Sequence, residues 1–166
     1  IVTAESLAKA PPDGHTLLVA SEAVFTLHAP LYAKLPDEDA KDFTPITRLV
    51  TANLLLVARP DFPANSMKEF IDYAKANPGK LSYASVGAGG VNHRPMAWLA
   101  KLHGLQMEHV PYKGLVQALQ DVTTSRVDVM FAVIGGALPF VQSGKLKALA
   151  VSGKARSGLL PNVPTF

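Results

Sequence analysis

Cysteine is absent from the 166 residues, which excludes disulfides and thiolate metal sites and leaves the redox compartment open. Charge is sparse at 17% of residues, and the formal excess is only +3. Lys145, Lys147, Lys154 and Arg156 form no dense basic block and have no aromatics between them. Nucleic acid is therefore not an expected partner, whereas small anions are compatible with the charge. Long hydrophobic runs are lacking too. Stretches such as residues 54–58 are of strand length, far short of the roughly 18 apolar residues of a membrane-spanning helix. No membrane insertion is expected. The chain opens at Ile1 without a basic or apolar leader, so no targeting segment is expected within it.

Motifs for catalysis and cofactors are also missing. His15, His28, His93, His103 and His109 show neither H-x-H nor H-E-x-x-H spacing, so no metal site is expected. Ser85 does not sit in a G-x-S-x-G turn. Gly87, Gly89 and Gly90 do not fit the dinucleotide pattern G-x-G-x-x-G. No paired general acid and base is evident, and neither an enzyme nor a bound cofactor is expected. His93 stands near Ser85 in sequence, and Asp128 could complete a triad; a capping or hydrogen-bonding role for His93 is the simpler reading. Asp128 reads as a structural hydrogen-bonding residue, and Met96 and Trp98 read as core.

What is present is a regular alternation of strand-like and helix-like patterns, the mark of an α/β fold with a doubly wound, mainly parallel sheet. Residues 1–9 read as the end of a helix, 11–14 as a turn, 16–20 as a buried strand, 29–34 as a short helix and 37–42 as a charged loop. A long extended run follows from 43 to 59, long enough to cross between domains. Strands are then expected at 54–58, 81–85, 107–110, 127–131 and 146–151. Helices are expected after the capping box Ser66-Met67-Lys68-Glu69, at about 92–102, near 116–123 and at 138–142. The first carries Met67, Phe70, Ile71 and Ala74 on one apolar face. Residues 158–166 read as irregular. The division is a partial first domain with its crossover at 1–52 and a second α/β domain at 53–166.

The segment from Tyr83 to His93 carries most of the functional information. A strand runs into a glycine-rich turn that opens a helix, so backbone N–H groups are exposed at the positive end of a helix dipole. Glycine also serves tight corners for steric reasons alone. Ligands of such sheets bind beyond the carboxyl ends of the strands, near a switch point. The qualifying loops are 85–93, 112–114 and 132–136, with 21–26 in the first domain. They are rich in glycine and hydroxyls and poor in acids, which suits a carboxylate or phosphate.

Several ordered segments resemble one family. They are Pro11-Pro12-Asp13-Gly14-His15-Thr16-Leu17-Leu18, Leu31-Tyr32-Ala33-Lys34-Leu35-Pro36 with Lys41-Asp42-Phe43-Thr44-Pro45, and Ala76-Asn77-Pro78-Gly79-Lys80-Leu81-Ser82-Tyr83-Ala84-Ser85. Val110-Pro111-Tyr112-Lys113-Gly114, Gly144-Lys145-Leu146-Lys147-Ala148-Leu149-Ala150-Val151 and Leu160-Pro161-Asn162-Val163-Pro164-Thr165 continue the likeness. The family is the substrate-binding proteins of tripartite tricarboxylate transporters, the Bug-type or TctC-like periplasmic receptors. The resemblance implies a periplasmic-binding-protein-like fold of type II, closing like a flytrap over an organic anion. It further implies delivery to membrane permease subunits, a periplasmic location, and an interior fragment of a longer chain.

By position, the resemblance makes Ser85, Gly87, Ala88, Gly89, Gly90, Val91, Asn92 and His93 the second of two loops that clasp one ligand carboxylate. Ser21 matches a cleft-facing loop of the first domain, and Lys113 and Gly114 a cleft-facing strand end. Many relatives carry an acidic or amide pair after the fourth strand; Ala132 and Val133 stand there. That absence points to a ligand without a cationic group: a mono- or dicarboxylate, or an aromatic acid. A sensor role beside a signalling partner, or an effector-binding or enzymatic domain on the same fold, are the alternative readings.

Overall fold

The computed structural model describes residues 2–20 and 43–166. The chain separates into two units, residues 1–50 and 51–166. In the first, α1 (Val2–Ala8) leads to a turn in which Asp13 Oδ1 accepts from the His15 N–H at 3.0 Å. The strand expected at 16–20 does not form. Those residues are irregular, and Leu17 and Val19 are 68% and 78% exposed. β-propensity becomes a strand only where a neighbour supplies a ladder and a core covers the apolar side chains. Among the described residues of this unit neither is found. The segments expected at 21–26, 29–34 and 37–42 lie outside the described residues.

The second unit alternates throughout: β1 (Leu54–Ala58), α2 (Met67–Ala76), β2 (Leu81–Ser85), α3 (Arg94–His103), β3 (Met107–Pro111), α4 (Leu115–Thr123), β4 (Val129–Val133), α5 (Ile134–Gln142) and β5 (Lys147–Val151). The sheet order is β3-β2-β4-β1-β5. β2 is parallel to β3 and β4, while β1 is antiparallel to both β4 and β5. Four strands thus point one way and β1 runs against them. β1 and β4 are apolar almost end to end because both of their faces are covered.

Each face of the sheet has its own core. Leu56, Phe62, Phe70, Tyr83, Met96, Leu99 and Phe131 pack under α2 and α3. Leu55, Val57, Leu119, Val122, Met130 and Ile134 pack under α4 and α5. Fully burying each such side chain contributes about 1.5–3 kcal/mol. The cap of α2 forms as its sequence implies, with Ser66 accepting from the Glu69 N–H at 3.2 Å. Glu69 reaches back one residue further than a capping box requires, accepting from the Asn65 N–H at 2.7 Å.

Two boundaries differ from expectation. β4 begins at Val129 because Arg126 and Val127 direct their N–H groups to the Asp121 carbonyl at the end of α4. α5 begins at Ile134, four residues before the expected start, and takes in Gly135 and Gly136. The glycine pair suggested a loop; instead, a Cβ at Gly136 would lie 2.8 Å from Leu115 Cδ2, so glycine lets α5 pack closely on that side chain. Trp98 also departs from expectation. It is 65% exposed, while Met96 two residues earlier is fully buried. On a helix those two positions are about 200° apart, so only one can face the core.

Candidate functional site

α3 leaves β2 toward β3 on one face of the sheet, and α5 leaves β4 toward β5 on the other. The carboxyl ends of β2 and β4 therefore flank a topological switch point, where a crevice opens in sheets of this kind. The glycine loop sits there. Gly87 and Gly89 adopt φ +94° and +76°, conformations that a side chain would make costly. Asn92 is buried, and its Nδ2 donates to the Phe131 carbonyl at 2.7 Å, tying the loop to β4. The His93 and Arg94 N–H groups close back on the Gly90 carbonyl at 3.0 and 3.1 Å.

Among the described residues, the backbone N–H groups of Gly87, Ala88 and Val91 have no protein acceptor. All three residues are at least partly exposed. α3 begins immediately afterwards with no side-chain cap and no acid in its first turn, so its dipole is left uncompensated. Chemically this is a set of backbone donors at a helix N-terminus, which suits an anion.

Beneath the loop the side chains form a polar cluster. Ser85 is fully buried; its Oγ lies 2.6 Å from His109 Nε2 and donates to the Gly87 carbonyl at 3.1 Å. Both contacts are satisfied when His109 carries its proton on Nε2. His93 Nδ1 accepts from the Gly89 N–H at 3.2 Å. The rings of His93 and His109 are 4.3 Å apart, and Tyr83 stacks on His109 at 4.9 Å. Burial lowers the His109 pKa, and the neighbouring His93 lowers it further. Burial raises that of Tyr83. With its hydroxyl sealed in, Ser85 is no nucleophile. Asp128, at the far end of the sheet, completes no triad.

The remaining candidates are dispersed around this end. Lys113 is exposed, and Gly114 is the N-cap of α4 without a side-chain bond. Tyr112 anchors their loop: its hydroxyl donates to Asp121 Oδ2 at 2.8 Å, and burial together with that carboxylate pushes its pKa up to about 12. Ala132 is fully buried in β4, its methyl part of the core beneath α5; Val133 is the half-buried position at that strand end. Ser21 lies outside the described residues. Asp128 is structural, as read: it accepts from Arg59 Nε at 2.9 Å and from the Ser82 N–H at 2.8 Å. Sequence reading missed His109 and Tyr83. The signal available was position, since each stands two residues before its strand's end; the parallel register that pairs them is a tertiary fact.

A doubly wound sheet with donor-rich loops at its switch point places this chain in the fold class of periplasmic binding proteins. The chain matches the tripartite tricarboxylate transporter family receptor over residues 1–166, and it belongs to that family, whose members are periplasmic solute-binding receptors rather than enzymes. It is 38% identical to a UPF0065 protein of Bordetella pertussis over 99% of its own length and 51% of that protein's. MatC of Rhodopseudomonas palustris with bound malate is similar at 34% identity and TM-score 0.82, covering 99% of this chain and 56% of that one. R. palustris Rpa4515 with adipate is similar at 27% identity and TM-score 0.90, covering 99% and 55%. The chain spans about half the length of the curated relatives it matches. Among the described residues no helix is long and apolar enough to cross a membrane.

Proposed function

We propose that this chain supplies one half of a carboxylate clasp in a receptor that hands a small organic anion to the permease subunits of a tripartite tricarboxylate-type transporter. The observation that carries this reading is the set of N–H groups at Gly87, Ala88 and Val91 at the switch point, which have no protein acceptor among the described residues. A carboxylate there receives charge-assisted hydrogen bonds, strengthened as the cleft closes and water leaves. Ser85, Gly89, Asn92 and His93 hold the loop in shape through their own internal bonds. Lys113, Gly114 and Ala132 stand at the strand ends beside the crevice, and Ser21 is kept as a candidate by resemblance alone. The same reading divides the chain at residues 1–52 and 53–166.

The ligand carries no cationic group. Loops 85–93, 112–114 and 132–136 contain no Asp or Glu to receive one. Val116, 65% exposed after the third strand, suits the alkyl or ring portion of an acid. Neighbours named with malate and adipate support a dicarboxylate. A thermal-shift screen of the full-length receptor tests the reading. An organic acid at about a hundred times its Kd adds about 2.7 kcal/mol, a rise of several degrees. Stabilisation by a nucleotide or sugar and by no acid would refute it; tight binding of a cationic amino acid would refute the ligand class. The 166-residue chain alone is expected to bind malate weakly or not at all. A micromolar Kd would contradict the half-clasp.

A further inference from the structure

The glycine loop is shaped by two imidazoles that make no direct claim on a ligand. His93 Nδ1 can accept from Gly89 only while it carries no proton. His109 Nε2 and the Gly87 carbonyl share the Ser85 hydroxyl, so the His109 ring indirectly sets where Gly87 turns. The two rings touch at 4.3 Å and would repel if both were charged. From β2 they meet the Tyr83 ring and the Ser85 hydroxyl. α3 brings the cationic Arg94 directly after His93, and β3 carries Glu108 on its opposite, exposed side. Among the described residues no carboxylate bonds to either ring.

We propose that His93 and His109 are positioning residues that hold the glycine loop in its anion-accepting conformation only while Nδ1 of His93 is unprotonated, His109 acting through its Nε2–H bond to Ser85 and its 4.3 Å ring contact with His93. As the rings protonate, Nδ1 of His93 turns from acceptor to donor and faces the Gly89 N–H donor to donor. The loop is then released and the row of N–H groups dispersed. Acidification thereby weakens carboxylate binding, which makes the pair a proton-linked release device. The proposal concerns regulation of the clasp and so rests on the receptor reading, but its structural half can be tested without any ligand.

The test uses the isotope-labelled 166-residue chain between about pH 8 and pH 5, across the histidine range. Ring nitrogen spectra should show His93 unprotonated at Nδ1 at the upper end, and the Gly89 amide shift should follow its titration. The protection factor of the Gly89 amide, which bonds to His93, should fall about tenfold as the rings charge, while those of β4 persist and report an intact fold. H93A should lose the Gly89 protection at every pH. H93N places an amide oxygen near the Nδ1 position, and the H93N/H109Q pair should keep protection at low pH. H103Q, a histidine at the other end of α3, should behave as the parent. A proton on Nδ1 of His93, or Gly89 protection untouched by H93A, would overturn the proposal. In the full-length receptor, malate affinity should drop about tenfold from pH 7.5 to 5.5 and stay flat in H93N/H109Q. Affinity that rises on acidification would make His93 a cationic ligand and overturn the device. Absence of any carboxylate binding would refute the receptor reading while the spectra still decide the latch.

Discussion

At the amino ends of β2 and β4, Asp128 accepts from Arg59 and from both the N–H and the hydroxyl of Ser82, while Arg59 also pairs with Asp61 at 2.6 Å. At the carboxyl ends of the same two strands there is no carboxylate, and among the described residues the N–H groups of Gly87, Ala88 and Val91 have no protein acceptor. One end completes its own electrostatics with side chains; the other is assembled from backbone donors and left incomplete. A sheet can afford an open row of donors where solvent or a ligand reaches them, but not where they are sealed from both. The contrast separates what holds this unit together from what it can bind.

Substitutions can break the contrast, beginning at the closed end. D128A removes the acceptor of the Ser82 amide and leaves Arg59 with Asp61 alone, and should cost about 1–3 kcal/mol. Urea unfolding checks this as a lowered midpoint at unchanged slope, and a loss below about 0.5 kcal/mol would mean that the network is ornamental. At the open end, N92A removes the only side-chain tie from loop to β4 carbonyl found among the described residues. It should cost about 1–3 kcal/mol, because the Phe131 carbonyl is left unsatisfied. Carboxylate affinity should fall with it, whereas D128A should spare affinity in whatever protein remains folded. Equal effects of both changes on affinity would erase the distinction between the ends.

Smaller effects sharpen it. G89A forces a side chain onto φ +76° and should cost about 1–2 kcal/mol, read from the same unfolding curves. S66A removes the α2 cap, remote from both ends, for about 1 kcal/mol with binding unchanged. The smallest effect is on pH. A histidine whose folded pKa lies below its usual 6.5 contributes stability that is complete above that value and is lost as pH falls toward the lowered one. The unfolding midpoint should therefore decline below about pH 6.5, and H109Q should remove that part of the slope. Stability that rises on acidification through this range would contradict the burial of the neutral ring.

Most of the second unit was legible in its pattern. The apolar face of α2, its serine cap and the alternation of strands with helices are local signals, set by side chains within a few residues of each other. Local signals misled where a distant partner decided the outcome. Gly135 and Gly136 look like a loop until Leu115 is seen to need the space. Trp98 looks like core until the turn of α3 places Met96 inward. The apolar run at 16–20 needs a ladder that the described residues of its unit do not supply.

The site divides along the same line. Sequence by itself determined that a glycine-rich, acid-free turn follows a strand and opens a helix, because strand, turn and helix are each encoded within a few residues. It also carried the family likeness. Only the tertiary structure decided that β1 runs against its neighbours, that the switch point falls between β2 and β4, and that His109 reaches Ser85 while stacking on Tyr83. Those facts depend on strand order and register, and both are set by which apolar faces bury one another across the whole sheet.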